Sequence, residues 1–476
     1  MDPISEKILI STKDLLTRII ASKELSPDFL TEAHLAATAV EYELKRQRSQ
    51  DGYLAAARAK ERKLADELRG LLGSGPVAVP RKWGDHWSES VGAELSRVIA
   101  GAWGGKRLDP ALQRKLLENV RTFLIDYNTY FDPAIAGGTA VTYKGGRSDQ
   151  EERAPADKLT AETLQAYVRR RFPDKPATEV VAFKKLAGGY SKETYLVTLG
   201  GSGVPEQRLV LRKDGVGLPT GGSVVNEFGV IKLARAHDIP APNPLWLEPD
   251  ESVFGTAVLA VDFVSGKPAH LNVPSDPDAR RAWTLSFAEC LAKLHRIRPD
   301  DPAFDLQASF ARDIDAQEKL IIERERIAHP ALVCGIAWLR ENLPRLKGRP
   351  AALVHGDVGF HNIIMNNDRI VALLDWEFNH FSDPAEDLVY CKLFIDQLMP
   401  WDEFMTAYRA KGGAGADYPE EVAQFFDVWK EVRNAVSCLG SLNSLLMPEV
   451  DEVKLAVAGC VFPPKYEIAA LDAMLR

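Results

Sequence analysis

The sequence of 476 residues contains few cysteines, and their arrangement excludes two common kinds of small scaffold. The five are scattered widely along the chain, at Cys290, Cys334, Cys391, Cys438 and Cys460. No pair has the CxxC or Cys/His spacing of metal ligands, and an odd number cannot be fully paired in disulfides. We therefore expect buried free thiols in a reducing compartment, and neither a zinc module nor a disulfide framework.

Long apolar runs and an export signal are also missing. No stretch approaches the roughly 18 consecutive apolar residues of a membrane-spanning helix. The chain starts MDPISEKILISTKDLL, with acidic side chains early and no apolar segment followed by a small-residue cleavage site. We therefore expect a cytoplasmic protein that has no membrane partner.

Basic residues are not in excess, which argues against nucleic acid as a partner. Residues 377–476 contain 17 acidic and 8 basic side chains, a net charge of −9, whereas the whole chain has −8 and the other residues therefore +1. Two interpretations of the acidic segment stay open. It is either a substrate lobe that favours a cation or a solvated acidic face.

The length predicts two or three domains, because one hydrophobic core rarely serves so long a chain. Residues 1–131 have the periodicity of helices and carry no catalytic constellation. One helix is predicted to start at Asp109-Pro110 and to bury an apolar stripe. Residues 132–158 are rich in Gly, Ala and charge and are predicted to be a linker.

A second unit, with a different pattern of predicted secondary structure, begins near Leu159. Short β-rich runs come first, at 180–186, 194–199, 208–213 and 257–264. Helical patterns then dominate, at 280–296, 309–342, 401–411 and 419–446. Strands followed by helices predict an α+β architecture, with a small β-sheet lobe over 159–265 and a helical lobe over 266–476, preceded by an all-α helical bundle.

The segment LVHGDVGFHNIIMNNDRIVALLDWE, residues 353–377, holds the polar residues that best fit catalysis. Asp357 and Asn362 lie five positions apart on one predicted loop, and Asp375 ends the hairpin that follows. Phosphoryl transfer needs a carboxylate for the attacking hydroxyl and oxygen ligands for Mg²⁺. These residues supply both, although a loop whose Asp and Asn cap a turn has the same residue types.

The motif H-G-D-x-x-x-x-N resembles the catalytic loop of the aminoglycoside phosphotransferase and choline kinase superfamily, relatives of the protein kinases. The resemblance implies a bilobal protein-kinase-like fold and the use of ATP and Mg²⁺. It implies that Asp357 is the catalytic base and that Asn362 and Asp375 are metal ligands, with His355 supporting the loop. Asp383 and Asp387 in FSDPAEDLVY are predicted to cap a helix and brace that loop.

The stretch LAGGYSKETYLVTL is predicted to fold over the nucleotide phosphates. Gly188, Gly189 and Ser191 lie between two strand-like runs, and backbone amides of such a loop can bind phosphate. An ordinary hairpin turn has the same pattern. Its position about 20 residues before LVLRK favours the phosphate loop, because kinases space their glycine-rich loop and phosphate-binding cation in this way.

In LVLRK, Arg212 occupies the place where kinases usually carry the phosphate-binding lysine, and a guanidinium can also hold phosphate oxygens. Glu227 in the next helix is its predicted ion-pair partner, although each could be an ordinary surface charge. The run AVLAVDFVSGKP resembles the hinge between kinase lobes. The resemblance implies that Asp262 and Val264 meet the adenine edge.

Five segments together resemble the phosphotransferases associated with acyl-CoA dehydrogenases, which include kinases of 4-hydroxyacyl-CoA intermediates. They are GGYSKETY, LVLRK, NEFGVIKLA, CLAKLHRIRPDD and LLDWE. Lys192 departs from that branch, where Asn is usual, and an acidic C-terminus is an unusual host for polyanionic CoA. The run RKLLENVRTFLIDYNTYFDP resembles helical proteins encoded beside such kinases, which implies a fused accessory domain. A bundle for homo-oligomerisation is the alternative.

The sequence therefore predicts an ATP-dependent kinase of a small-molecule hydroxyl, with a hydroxyacyl-CoA or hydroxy acid of catabolism as substrate. An aminoglycoside or macrolide antibiotic kinase is the first alternative, because it would use the same catalytic residues. A catalytically silent nucleotide-binding regulator is the second. The presence of Asp357, Asn362 and Asp375 speaks against the regulator.

Overall fold

A computed structural model describes residues 12, 53–72, 90–103, 108–129, 159–186, 192–215, 222–325, 327–366, 369–445 and 453–476. The predicted linker over 132–158 lies outside these residues, as do Gly188, Gly189 and Ser191 of the predicted phosphate loop. The chain divides into two compact units. The helical unit comprises Met1–Gly146, Gln307–Lys347 and Glu420–Arg476, and the sheet unit comprises Arg147–Leu306 and Gly348–Pro419.

The sheet unit contains a five-stranded antiparallel sheet in the order β1-β2-β3-β5-β4. The strands are β1 (Glu179–Leu186), β2 (Lys192–Gly201), β3 (Val204–Asp214), β4 (Pro244–Glu248) and β5 (Val258–Asp262). Helix α4 (Ala161–Arg171) precedes β1, α5 (Val224–Ala236) follows β3, and the short α6 (Glu251–Phe254) precedes β5. Each of the four β-rich runs predicted from the sequence contains a strand, and the α+β fold class is confirmed.

Alternation along β2 and β3 separates two faces of this sheet, because neighbouring side chains point to opposite sides. The register pairs Thr194 with Arg212 and Leu196 with Val210 on one face. Tyr195 and Leu211 are paired on the other face and are buried in an aromatic cluster with Tyr167, Trp246 and Phe254. The face of Arg212 is therefore turned away from that cluster.

The rest of the sheet unit consists of short strands and helices. The strands form the sheets β6-β8-β9 and β7-β10, from β6 (Lys267–Pro268), β7 (Ala352–Val354), β8 (Ile363–Asn366), β9 (Arg369–Leu373) and β10 (His380–Ser382). The helices are α7 (Pro277–Leu294), α10 (Ala385–Ile395) and α11 (Trp401–Ala410), with 3-10 turns at Ala269–Leu271, Phe360–Asn362 and Trp376–Phe378. The predicted hairpin between Asn362 and Asp375 is confirmed as β8 and β9.

The helical unit combines the N-terminal helices with helices from late in the chain. They are α1 (Tyr53–Leu72), α2 (Ala93–Trp103), α3 (Pro110–Thr129), α8 (Leu306–Arg324), α9 (Pro330–Asn342), α12 (Glu420–Leu445), α13 (Val453–Cys460) and α14 (Phe462–Leu475), with a 3-10 turn at Leu343–Leu346. Trp103 Nε1 donates to Glu341 Oε2 of α9 at 2.8 Å. These units group the residues differently from the predicted division into 1–131, 159–265 and 266–476, which stays a prediction. Pairing between helices that are distant in sequence leaves no local signal in composition.

Two local predictions for helices have opposite outcomes. The predicted start at Asp109-Pro110 is confirmed, since Asp109 Oδ1 accepts from the Ala111 and Leu112 amides at 3.0 and 3.2 Å. The single helix predicted over 309–342 is wrong, because α8 ends at Arg324 and α9 begins at Pro330. Proline lacks the amide hydrogen of a helix interior but suits a first turn.

All five cysteines are free, and Cys290, Cys334 and Cys391 are buried. Among the described helices, none combines the length and the apolar character needed to cross a bilayer.

Candidate active site

The loop after β7 is held by one carboxylate of α10. Asp387 accepts from the backbone N–H of His355 at 2.8 Å and from that of Gly356 at 2.9 Å. Burial raises the pKa of Asp387, but the contact with His295 Nε2 at 3.1 Å and these amides outweigh it, so its pKa is lowered. The predicted bracing of the loop by Asp387 is confirmed, and Asp383 caps α10 by accepting from the Ala385 amide at 2.9 Å.

His355 links the loop to the end of β9. Its Nε2 donates to the Leu374 carbonyl at 2.9 Å, and its Nδ1 accepts from the Asp357 N–H at 3.3 Å. The ring packs against Trp376 with 4.7 Å between centroids. Both ring nitrogens are thus used inside the protein, which gives His355 the part of a supporting contact.

Gly356 is required by the backbone of this loop. Its φ of +79° lies in the left-handed region, and a Cβ there would stand 2.4 Å from the Phe378 carbonyl oxygen. A side chain would therefore meet both torsional strain and a backbone clash.

Two side chains donate to the carboxylate of Asp357, and a third lies beside it. Asn362 Nδ2 donates to Asp357 Oδ2 and to its main-chain oxygen, both at 3.0 Å. Tyr390 donates its hydroxyl to Oδ1, and His361 Nε2 lies 3.4 Å from Oδ2. Burial raises the pKa of Asp357, but His361 and Tyr390 outweigh it and hold the pKa well below its usual range. The carboxylate is therefore ionised at neutral pH.

Sequence reasoning missed Tyr390 and His361. Tyr390 lies one turn after Asp387 on α10, so the same face of one helix reaches both the loop backbone and the Asp357 carboxylate. That spacing was available in AEDLVY, but a tyrosine among apolar helix positions has the pattern of a core residue. His361 lies within the motif, at one of its variable positions.

Asp375 follows β9 in a conformation that is uncommon for a residue with a side chain. Its φ of 62° and ψ of 63° are left-handed, which costs about 1 kcal/mol or more and is often found at functional sites. The Leu374 amide donates to the Asn362 carbonyl at 2.7 Å. The two predicted metal ligands are therefore carried by segments that are hydrogen-bonded to each other.

Arg212 joins Asp375 to helix α5. Its Nη2 donates to Asp375 Oδ1 at 2.6 Å, and its Nε donates to Glu227 Oε2 at 3.1 Å. Burial lowers the pKa of Arg212, but Glu227 and Asp375 outweigh it and raise its pKa above the ordinary value. The predicted pair of Arg212 and Glu227 is present, and its role toward nucleotide stays a prediction.

A family comparison agrees with this arrangement. The model of the phosphotransferase enzyme family (APH) matches residues 182–425, slightly more than half of the chain. The chain belongs to the phosphotransferase enzyme family.

Two curated relatives of this phosphotransferase carry the name acyl-CoA dehydrogenase family member 11. The protein of Homo sapiens is 29% identical over 266 residues, which cover 52% of this chain and 33% of that protein. The protein of Gallus gallus is 30% identical over 280 residues, which cover 55% of this chain and 33% of that protein. The match thus spans about a third of the length of these relatives.

A solved choline kinase of Streptococcus pneumoniae is 14% identical and has a TM-score of 0.43, covering 58% of this chain and 90% of its own. At these values the likeness carries no information about a substrate.

The predicted hinge of the phosphotransferase is partly engaged within the protein. Asp262 ends β5, where its N–H donates to the Asn243 carbonyl at 2.9 Å and its carboxylate accepts from the Asn243 N–H. Phe263 N–H donates to the Arg208 carbonyl at 3.2 Å. The amide of Asp262 is therefore not open to adenine, and the contact predicted for this residue would have to use its carbonyl. The contact predicted at Val264 stays a prediction.

The donor set at Asn362 and Asp375 fits a hard cation such as Mg²⁺. Asn362 directs its amide nitrogen to Asp357, so its carbonyl oxygen is the atom left for a metal, and Arg212 takes only Oδ1 of Asp375. Mg²⁺ prefers oxygen ligands and usually combines few protein groups with water and phosphate. No cluster of three or more His, Cys, Asp or Glu with metal-site geometry occurs in the described part of the chain.

Proposed function

We propose that this phosphotransferase transfers the γ-phosphoryl group of ATP to a hydroxyl of a small molecule, with Mg²⁺ as the metal. One observation carries the proposal. The ionised Asp357 carboxylate is held by Asn362 and Tyr390 within the same unit in which Arg212 joins Glu227 to Asp375. A positioned carboxylate and a buried guanidinium beside an oxygen donor are the groups that phosphoryl transfer needs.

Each residue has a definite part in the proposed reaction. Asp357 orients the acceptor hydroxyl and takes its proton as that oxygen bonds to the γ-phosphorus and the bond to the ADP oxygen breaks. Arg212 holds phosphate oxygens, and Glu227 fixes the guanidinium in place. Asn362 and Asp375 would hold Mg²⁺, which when bound neutralises charge on the phosphates. Gly188, Gly189 and Ser191 would cover the phosphates, and Asp262 and Val264 would face adenine.

A hydroxyacyl-CoA or a related hydroxy acid is the proposed acceptor. The support is that relatives named as acyl-CoA dehydrogenases match this chain over about half its length. An aminoglycoside is the second candidate, favoured by the net charge of −9 over residues 377–476, since a cationic acceptor suits an acidic lobe.

The test of the acceptor is ADP release from the full chain with Mg²⁺ and ATP. Hydroxyacyl-CoAs, free hydroxy acids, aminoglycosides and a reaction without acceptor are compared. We expect turnover with a hydroxyacyl-CoA or hydroxy acid. Turnover confined to aminoglycosides would overturn the acceptor proposal, and nucleotide binding without any turnover would favour a silent regulator.

The test of the chemistry is Asp357→Asn, which keeps the size of the side chain but removes the base. We expect kcat to fall by roughly 10²–10⁴-fold, while binding of AMP-PNP is retained. Asp396→Asn is the control, because Asp396 is a half-exposed partner of Lys392 on the surface. A near wild-type rate for Asp357→Asn would remove Asp357 from the proposed role.

A further inference from the structure

A second buried cation lies on the same face of the sheet as Arg212. Lys192 begins β2, and its side chain is 3% exposed. Its Nζ donates to the Gly222 carbonyl at 2.8 Å and stands 3.0 Å from Asp214 Oδ1 and 3.8 Å from Glu377 Oε2. A buried ammonium is stable only with such partners, so this side chain is fixed in one place.

The partners of Lys192 belong to three separate elements. Asp214 ends β3 and caps α5, since its carboxylate accepts from the Val224 N–H at 3.0 Å and the Ser223 hydroxyl at 2.6 Å. Gly222 stands before α5 and donates its N–H to the Glu377 carbonyl at 2.8 Å. Glu377 lies in the 3-10 turn that follows Asp375. Lys192 therefore joins the sheet to the start of α5 and to that turn.

Arg212 connects the same elements by other atoms. It reaches from β3 to Glu227 in the first turn of α5 and to Asp375 directly before the turn. The register places Lys192 opposite Asp214 and Thr194 opposite Arg212, so all four lie on one face of the β2–β3 pair. We propose that Lys192 is a positioning residue for nucleotide phosphate binding, which holds α5 and the turn where Arg212 can meet Glu227 and Asp375 together.

The inference rests on the proposed function, because it assumes that Arg212 and Asp375 serve a nucleotide. It assigns Lys192 no contact with the reacting atoms. We expect replacement of Lys192 to displace the Arg212 guanidinium, and therefore to weaken mainly the affinity for ATP.

The chain offers a matched control on the opposite face of the same strands. Lys213 has a side chain that is 4% exposed and lies 3.1 Å from Glu193, its partner in the register. Glu193 also has Lys185 at 2.5 Å, so it keeps one cation when Lys213 is replaced. The Lys213–Glu193 contact does not involve α5 or the turn after Asp375. Comparing the Lys213 variant with the Lys192 variant therefore separates the general cost of losing a buried lysine from the specific loss of the Lys192 contacts.

The experiment compares Lys192→Met, Lys192→Arg and Lys213→Met in the full chain, each shown to be folded by circular dichroism. We expect Lys192→Met to raise the KM for ATP by about tenfold and to weaken the thermal shift given by Mg²⁺ and AMP-PNP. Lys213→Met should change that KM by less than about twofold, because its contact with Glu193 lies on the opposite face of the strands from Arg212. Lys192→Arg should recover part of the loss, because it restores the charge.

The outcomes separate this inference from the proposed function. If the wild-type chain binds nucleotide but Lys192→Met and Lys213→Met change the KM for ATP equally, the role of Lys192 is overturned and the proposed function is not. A wild-type chain that neither binds AMP-PNP nor releases ADP would overturn the proposed function and the inference with it. If Lys192→Met does not fold, Lys192→Gln keeps a donor for Gly222 and is compared with Lys213→Gln, with the same KM difference expected.

Discussion

Each compact unit contains a buried contact between a histidine and a carboxylate, and the two contacts have different surroundings. In the sheet unit, His295 Nε2 lies 3.1 Å from Asp387, which also accepts from two amides of the candidate catalytic loop. In the helical unit, His329 Nδ1 lies 2.7 Å from Glu467 and joins the start of α9 to α14. The same chemical pair therefore fixes a loop in one unit and fastens two helices in the other. We expect activity to depend on the first contact and stability to depend on both.

The largest effect on activity within this comparison is expected for Asp387→Asn. In the variant, the side-chain NH₂ group of Asn would face one of the two loop N–H groups. Two donors cannot bond to each other, so the loop would shift away from its present place. We expect kcat to fall by roughly 10²-fold, because small displacements of reacting groups cost about that much. Leaving a buried loop N–H without an acceptor should also reduce the free energy of unfolding by about 2 kcal/mol. ADP release and urea unfolding measure the two effects.

The control for Asp387→Asn is Asp396→Asn, directly after the end of the same helix, where the carboxylate is half-exposed. Equal rates in the two variants would contradict the assignment of Asp387 to the loop.

A smaller effect on activity is expected for Tyr390→Phe, which removes only the hydroxyl that donates to Asp357. A hydrogen bond to a charged group is worth about 1.5 kcal/mol or more, so we expect kcat to fall by about tenfold. Tyr53→Phe is the matched change in the helical unit, where the hydroxyl donates to the Tyr127 carbonyl at 2.7 Å. Steady-state kinetics of both variants test the difference, and a Tyr390→Phe enzyme as fast as Tyr53→Phe would argue against a role for this hydroxyl.

Glu467→Gln is expected to change stability without changing turnover. It removes the charge beside buried His329, so we expect the free energy of unfolding to fall by about 3 kcal/mol. The KM for ATP and kcat should stay within about twofold, as for sites without shared partners. Asp472→Asn on the same helix is the control, because its partly exposed pair with Arg121 contributes little. A loss of kcat in Glu467→Gln comparable with that in Asp387→Asn would break the distinction between the units.

The smallest expected effect is a pH dependence of stability. Burial lowers the pKa of His329, but Glu467 outweighs it, so the pKa of His329 is raised in the folded chain. A raised pKa gives stability that is complete below the unfolded value of about 6.5 and is lost as pH rises through the folded pKa. We therefore expect the Tm difference between wild type and His329→Gln to shrink as pH rises above about 6.5. A difference that grows over that range would contradict the contact.

Sequence reasoning found what is local and missed what joins distant segments. Asp357, Asn362 and Asp375 lie within one loop and hairpin, so their spacing alone brought them together. Arg212 and Glu227 were paired through a known pattern of strand and helix. Tyr390 was missed because an aromatic residue on a helix indicates a core position.

The packing of the N-terminal helices was hidden for a related reason. Helical periodicity gives the buried face of α3, but it does not say which helix covers that face. The contact between Trp103 and Glu341 depends on the whole fold, and composition shows nothing of it. The break between α8 and α9 is different, because Pro330 is a local signal in the sequence and proline suits the first turn of a new helix.

The two contacts made by α10 have a consequence for motion. Asp387 holds the backbone of the loop and Tyr390 holds its carboxylate, one turn apart on a rigid helix. A displacement of α10 would carry the backbone and the carboxylate of the loop along together, with little distortion between them. Substitutions in the packing around α10 should therefore change the reach of Asp357 toward its acceptor while leaving the internal geometry of the loop intact.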